Sequence, residues 1–524
     1  MAVSNTECRI TDLLCSATLG CVLLFLSLFL TGEQGSAQPL PDNISWEGRG
    51  VTLETLRIQE SFAQENLVAR ELLPPRPTLK AYSYALRRGN NREIESLLYP
   101  QPTAAYGLVS EGEWRDTADT YFGALHFAVL DYGARRWTKL SMPQRFYPYL
   151  ALDSAEAQPR GVAGSLALGI LRKMELSTFA LALEYHGERL HATGGTEHRE
   201  ARHELRLRQG VSIPLGAYWF SQWGQFAYLR QQHRAMAEHP VRFFRHIGFG
   251  LWHWDRTTSE RQMDFESTSG LVKCGLQLAP KQEGLLASVS AAHRWGTTGD
   301  IHQRSVASFV LQELNLLLGY DYKSGAHHLQ GALDASWQNR TGVEQFYDSV
   351  GRRGNKKYQL LFSEPSYKAR YRAYGAQFVY RAESAHTSWI YGARLWGGYT
   401  SQESEYKRPN SKLRLTRWKT EMTLHLAWLH AQHHWRLQAA WVFLTRAAEV
   451  RELSRYIREP LRSEFLLPEL ERQLPARHYL MAELEYRYAL SNGVQLSVAP
   501  EVGYLLAVGQ GDIWRGGLRI GVLF

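Results

Sequence analysis

The chain has 524 residues, of which 44% are apolar, 21% charged and 12% aromatic. This composition can build a large core, so it excludes a disordered chain and a small disulfide-stabilised domain. Three of the four cysteines (Cys8, Cys15 and Cys21) lie near the N-terminus, which leaves neither a disulfide framework nor a cysteine-based zinc site. The formal net charge is +9, but the basic residues form no single block, and we expect no nucleic-acid partner.

The N-terminus has the pattern of an export signal. Residues 13–30 are nearly all apolar or small, and Gly35 and Ala37 supply the small side chains that a signal peptidase requires. We therefore predict a signal peptide over residues 1–37. The alternative is an uncleaved anchor helix, because the apolar run is close to the length of about 18 residues that spans a bilayer.

Residues 38–103 differ from the rest of the chain because prolines at positions 39, 41, 74, 75 and 77 interrupt them and their charge is mixed. We expect a periplasmic or plug-like extension here, with a short amphipathic helix over residues 51–72. The remaining residues, 104–524, are predicted to form the main domain.

From residue 104 onward the dominant pattern is an alternation of apolar and polar residues with a period of two. In the segment 418–430, one face is apolar with a tryptophan at each end: Trp418, Thr420, Met422, Leu424, Leu426 and Trp428. The separation of ten positions between the two tryptophans corresponds to about 33 Å along a strand. Tilted by about 40°, this length matches the apolar band of about 25 Å of an outer-membrane barrel, so Trp418 and Trp428 are predicted to belong to its aromatic girdle.

Similar segments of 9–13 residues recur, whereas strands in soluble sheets are usually nearer five or six. They predict an all-β fold: a transmembrane antiparallel up-and-down β-barrel of 14–18 strands with long external loops. The polar faces would then line the lumen, and the candidates are Arg202, Glu204, Arg206, Arg208, Lys419, Glu421, His425, Glu483, Glu485 and Arg487. They could form an anion-selective surface or salt bridges that fill the interior, and the glutamates among them favour the second interpretation.

The connections in the C-terminal half support a barrel independently. Predicted tight turns at 323–325, 382–386, 431–433 and 491–493 alternate with segments expected to be external at 340–365, 401–411, 447–476 and 510–512. Short turns on one side and longer loops on the other are typical of outer-membrane barrels. Upstream, candidate strands near 200–213, 216–230 and 243–255 break this alternation, so we expect one of them to be a loop or an inward-folded segment. Residues 447–461 have helical spacing, which predicts a helix within the external loop. The alternative is a solvated charged loop.

The last strand is amphipathic and ends on the terminal residue. Its apolar face comprises Trp514, Gly516, Leu518, Ile520, Val522 and Phe524. A final strand of this kind, ending in Phe, resembles the β-signal of Gram-negative outer-membrane proteins. The resemblance implies that Trp514, Leu518, Ile520, Val522 and Phe524 form an assembly signal read by the barrel-assembly machinery.

Across residues 104–524 the chain resembles the uncharacterised outer-membrane β-barrel proteins of Bacteroidota. This resemblance implies a location in the outer membrane, contact with its lipid, and no shared active site. We expect solute transport, a channel or an uptake accessory, with a non-conducting subunit of an envelope complex as the alternative and an outer-membrane enzyme as the less favoured third class.

No chemical motif points to catalysis, a cofactor or a metal. The histidines at 327–328 and 433–434 are adjacent on strands, where neighbouring side chains point to opposite faces. His253 precedes Asp255, but no nucleophile stands beside a base at a recognisable spacing. We therefore predict no enzyme activity, no cofactor and no metal site.

Overall fold

The structure is a computed structural model. It describes residues 67–68, 79–89, 102–116, 118–137, 150–194, 196–237, 243–247, 252–256, 262–300, 305–350, 357–383, 388–407, 410–452, 463, 467–491 and 493–523. The strands are β1 (Leu79–Arg88), β2 (Ala104–Arg115), β3 (Asp119–Asp131), β4 (Arg135–Trp137), β5 (Leu150–Lys173), β6 (Thr178–Gly194), β7 (Thr196–Leu215), β8 (Tyr218–Ala237), β9 (Phe243–Ile247), β10 (Trp252–Arg256), β11 (Gln262–Pro280), β12 (Gly284–Asp300), β13 (Ser305–Ser324), β14 (His327–Val350), β15 (Lys357–Glu383), β16 (Trp389–Lys407), β17 (Asn410–His430), β18 (His433–Leu444), β19 (Ala448–Glu452), β20 (Arg477–Ala489), β21 (Gln495–Ala507) and β22 (Gly511–Leu523). One short helix, α1 (Leu467–Gln473), precedes β20.

Eighteen of these strands form one closed antiparallel barrel. Each pairs with its neighbours along the chain, and the ring closes where β1 pairs with β22. The short strands β4, β9, β10 and β19 are additions to the wall rather than members of the ring. The predicted up-and-down barrel is therefore confirmed, with the number of strands at the upper end of the expected range.

The two faces of the wall differ as the period of two requires. On β17, Trp418, Met422, Leu424 and Leu426 are exposed, whereas the intervening His425 is buried. The same alternation is found on the other long strands, with large apolar side chains on the outer face. The barrel thus has an apolar exterior and a polar interior, which is the reverse of a soluble sheet protein.

The chain reverses direction at all eight predicted connections between residues 323 and 512. Two of the segments expected to be loops are nevertheless mostly strand. β14 continues to Val350 and β15 starts at Lys357, within the predicted loop 340–365, and only residues 408–409 separate β16 from β17. The alternation is lost there because both faces of these strand ends carry polar side chains.

The barrel begins earlier than the sequence pattern indicates. Strand β1, Leu79–Arg88, lies within the region predicted as an extension, and it pairs with both β2 and β22. The start of the barrel at residue 104 is therefore wrong, and the ring starts at residue 79. The outer face of β1 carries Ala81, Ser83 and Ala85, so the alternation of apolar and polar residues is weak in this strand. The signal peptide predicted at 1–37 lies outside the described residues.

A hairpin explains why the upstream candidate strands break the alternation of turns and loops. β9 and β10 pair with each other, and β9 also pairs with the first residues of β5, so the candidate strand at 243–255 is not part of the ring. The helical spacing at 447–461 is misleading in its described part, because residues 448–452 form strand β19. Of the helix expected at 51–72, the described residues are Leu67 and Val68, which lie in a 3-10 turn.

Candidate functional site in the barrel interior

The most densely charged part of the inner wall lies on β6 and β7. Arg202, Glu204, Arg206 and Arg208 all point inward, as alternate residues of one strand must. Their partners are carboxylates on β6 or on the same strand. The closest contacts are 2.8 Å between Arg202 Nη2 and Glu188 Oε2, 2.7 Å between Arg206 Nε and Glu204 Oε1, and 2.7 Å between Arg208 Nη1 and Glu184 Oε1.

The segment after β3 folds inward over this charged surface. The Tyr132 hydroxyl donates a hydrogen bond of 3.2 Å to Glu188 Oε1, and the Arg135 guanidinium carbon lies 4.1 Å from the centre of the Tyr132 ring. Burial raises the pKa of Tyr132 well above its usual value, and the neighbouring Glu188 carboxylate raises it further. Neither Tyr132 nor Arg135 was expected from sequence, because a loop residue such as Tyr132 and the first residue of a three-residue strand such as β4 carry no periodic signal.

A second charged group lines β18 and β20 to β22. Glu485 accepts two hydrogen bonds from Arg487, at 2.8 and 3.0 Å, and lies 3.4 Å from Arg436. Glu483 pairs with Arg519 in the same group. Because every cation here has a carboxylate partner, the geometry fits salt bridges within the wall better than a row of free charges.

The inner face of β17 carries the remaining predicted lumen residues. Lys419 and Glu421 pair with each other along the strand. His425 is 3% exposed and lies directly opposite Gln438 of β18, which is equally buried. Within the described part of the chain, neither ring nitrogen of His425 has a hydrogen-bond partner. All ten lumen-facing candidates thus lie on the face opposite the exposed apolar residues.

Near one end of the interior, the inner wall at β5 and β6 is apolar. Leu67 and Val68 are 1% and 2% exposed and pack against Leu171, Ala180 and Ala182, with Phe122 beside them. Ala180 and Ala182 belong to the inner face of β6, four and two residues before Glu184 in the sequence. This contact brings a segment that precedes the barrel against its inner wall, at the end where both β1 starts and β22 finishes.

The predicted girdle and assembly residues lie on the outer face. Trp418 is 60% exposed and its ring centre is 5.6 Å from that of Tyr399, while Trp428 lies 6.1 Å from Trp389. Trp514, Leu518 and Ile520 are exposed on β22, and Val522 is half-buried. Phe524 lies outside the described residues.

The adjacent histidines at 327–328 and 433–434 form no common site within the described ranges. His327 contacts the Tyr380 hydroxyl, whereas its neighbour His328 contacts Asp321 on the other face of β14. His433 lies 2.8 Å from the Tyr486 hydroxyl. Within the described ranges, no group of three or more His, Cys, Asp or Glu side chains could hold a metal ion.

None of the helices in those ranges has the length and apolar character needed to cross a membrane.

Comparison with solved structures gives barrels of low similarity. The ferric yersiniabactin uptake receptor FyuA from Yersinia pestis is 10% identical, with a TM-score of 0.40 over 86% of this chain and 81% of that one. The FrpB iron transporter from Neisseria meningitidis is 8% identical, with a TM-score of 0.36 over 85% and 82%. The ferric-catecholate import receptor Fiu from E. coli K12 has the same identity, TM-score and coverage. These likenesses concern the barrel fold and not a solute.

A search of curated protein sequences found no match. A family model does match, over residues 120–524, which include 16 of the 18 barrel strands from β3 to β22. The chain therefore belongs to the family described as a family of unknown function, DUF6850.

Proposed function

We propose that this barrel spans the outer membrane and takes part in the transport or uptake of a polar solute. The observation that carries the proposal is the division of the wall into an exposed apolar outer face and a charged inner face. A closed barrel of this kind satisfies all backbone hydrogen bonds within a bilayer. The end that holds both termini would be periplasmic, because its connections are the short turns.

The segment that precedes β1 would act as a plug. Leu67 and Val68 are buried against the inner wall at the periplasmic end, where the apolar surface of Ala180 and Ala182 receives them. Burying two aliphatic side chains contributes roughly 3–6 kcal/mol by area. An interaction of that size keeps the segment docked at rest and still permits its release by a periplasmic event.

A closed accessory subunit is the second candidate. Arg202 and Arg340 are each 1% exposed on the inner wall, and Tyr367 is fully buried. Side chains this inaccessible favour an interior that is filled. Such a barrel would contribute its wall or its loops to a larger envelope complex and would conduct no ions.

Conductance in a planar lipid bilayer separates these candidates. Leu67→Asp places a charge in the apolar contact and should release the plug, so we expect frequent openings that the wild type rarely shows. The matched control is Leu176→Asp in the turn between β5 and β6 at the same end, since Leu176 is 77% exposed and does not belong to the buried cluster around Leu67 and Val68. If Leu67→Asp remains as silent as the control, the accessory role is favoured and solute passage is rejected.

Location has its own test. The mature chain should be recovered with the outer-membrane fraction and should migrate differently on gels before and after heating, as stable membrane barrels do. Recovery in a soluble fraction would contradict the proposed membrane placement and the function built on it.

A further inference from the structure

A cluster of cations, most of them without an ion-pair partner, lies on the outer wall beside the aromatic girdle. Tyr374 on β15, Tyr399 on β16 and Trp418 on β17 lie side by side in the register of these strands. From this row towards the end of the barrel opposite the termini, most of the residues that point outward on β15, β16 and β17 are charged. The cations among them are Lys368, Arg370 and Arg372 on β15 and Lys412 and Arg414 on β17.

Ion pairing leaves most of these cations available. Lys412 lies 3.1 Å from Glu403, the carboxylate that stands between Arg370 and Arg414 in the register. Glu405 of β16 is the second carboxylate between the cations of β15 and those of β17. In the part of the chain that the structure describes, Lys368, Arg370, Arg372 and Arg414 have neither an ion pair nor a hydrogen bond.

On another part of the outer wall, formed by β7, β8 and β11, the outward arginines are paired with carboxylates. There Arg230 donates two hydrogen bonds to Glu266, at 2.8 and 3.1 Å, and Arg234 lies 3.2 Å from Asp264. Arg199 is 2.6 Å from Glu197. These outward arginines are neutralised by carboxylates of the protein itself, whereas most of the outward cations on β15 and β17 are not.

We propose that the outward cations of β15 and β17 bind the phosphate groups of an outer-leaflet glycolipid. The guanidinium groups of Arg370, Arg372 and Arg414 match phosphate oxygens in charge and in bidentate geometry. The adjacent aromatic row marks the boundary between the apolar band and the headgroups. A lipid whose chains lie on the apolar wall therefore presents its phosphates at the height of these arginines.

This inference rests on the outer-membrane placement proposed above. It also explains why charged residues lie on the outside of a barrel wall, where an unpaired cation within the apolar band would be costly. The arginines lie beyond Tyr374 and Trp418, outside the predicted band. Arg372 and Arg414 are exposed and Arg370 is half-buried, so an anionic surface can stabilise their charges.

Binding can be measured on the detergent-purified full chain by native mass spectrometry with diphosphorylated lipid A as the probe. We expect the wild type to retain lipid A and the variant Arg370→Gln/Arg372→Gln/Arg414→Gln to lose affinity on the order of 100-fold, at about fivefold for each basic residue. The control Arg199→Gln/Arg230→Gln/Arg234→Gln removes three outward arginines that already have carboxylate partners and should bind as the wild type does.

Two further arms identify the ligand. Lipid A without its phosphates should bind the wild type as weakly as lipid A binds the β15/β17 variant, and millimolar inorganic phosphate should not displace lipid A. Equal binding by the two triple variants, or full displacement by inorganic phosphate, would overturn the inference. Heat-modifiable migration shows that each variant is folded, and fractionation of the wild type tests the membrane placement separately.

Discussion

Arg202 and Glu188 form an ion pair inside the barrel wall, with 2.8 Å between Nη2 and Oε2 and side-chain exposures of only 1% and 4%. Removing one partner leaves a charge buried without compensation. Glu188→Gln or Arg202→Met should therefore lower the free energy of unfolding by about 3–5 kcal/mol, measured by urea unfolding in lipid vesicles.

The double variant Arg202→Met/Glu188→Leu should lose much less stability than either single variant, because it removes both charges at once. The exposed pair Arg230–Glu266 supplies the control, since its partners are 49% and 43% exposed and Arg230→Met should change stability little. Equal effects at the two pairs would show that the interior is hydrated.

Tyr132 connects the loop after β3 to the same carboxylate. Its raised pKa favours the neutral phenol in the folded state, whereas a tyrosine in the unfolded chain ionises near 10.0. The resulting stabilisation is complete below pH 10 and is lost as the pH rises above it, because the unfolded state alone then releases the proton. The stability difference between the wild type and Tyr132→Phe should accordingly shrink above about pH 10, and a constant difference would contradict the buried hydrogen bond.

Neighbouring residues of β17 should respond in opposite ways to the same substitution. Leu424 is exposed on the outer face, so Leu424→Arg should cost about 2–4 kcal/mol near the middle of the bilayer. Thr423→Arg adds the same group to the inner face and should cost far less, since Glu421 lies on that face as well. Urea unfolding of both variants in one lipid measures the difference, and a larger loss for Thr423→Arg would mean that the faces are inverted.

The end of the chain should control assembly. Phe524→Ala removes the terminal aromatic residue of the proposed assembly signal and should reduce the amount of folded barrel in the outer membrane. The control is Arg519→Lys, which retains a cation on the inner face of the same strand. Normal levels of the Phe524→Ala protein would contradict the proposed recognition of this strand.

Much of the barrel follows from the sequence because lipid and lumen impose opposite requirements on alternate residues. The faces of Trp418, Leu424 and Glu421 could all be assigned in this way. The rule fails where the wall leaves the apolar band. Glu403 and Glu405 both lie on the outer face of β16, yet their segment resembles a charged loop. Strand β1 was missed for a related reason, since small and polar residues occupy its outward positions.

The candidate site was predictable only in part. Alternation identifies which charged residues point inward, but the partner of each depends on the register between strands, which the sequence does not encode locally. The inward turn at Tyr132 and the docking of Leu67 are long-range contacts without periodic signatures. Both emerge only when distant parts of the chain are placed together.

The seam between β1 and β22 has a consequence for how the ring is made. It comprises nine residue pairs, against 24 between β14 and β15, and it joins Ser83 to Ile520 across 437 positions of the chain. The entropy lost in bringing such distant segments together grows with their separation, while the number of pairs formed there is small. Strand pairing should therefore start among the long central hairpins such as β14–β15 and reach the seam last. Thermal fraying should begin at the seam.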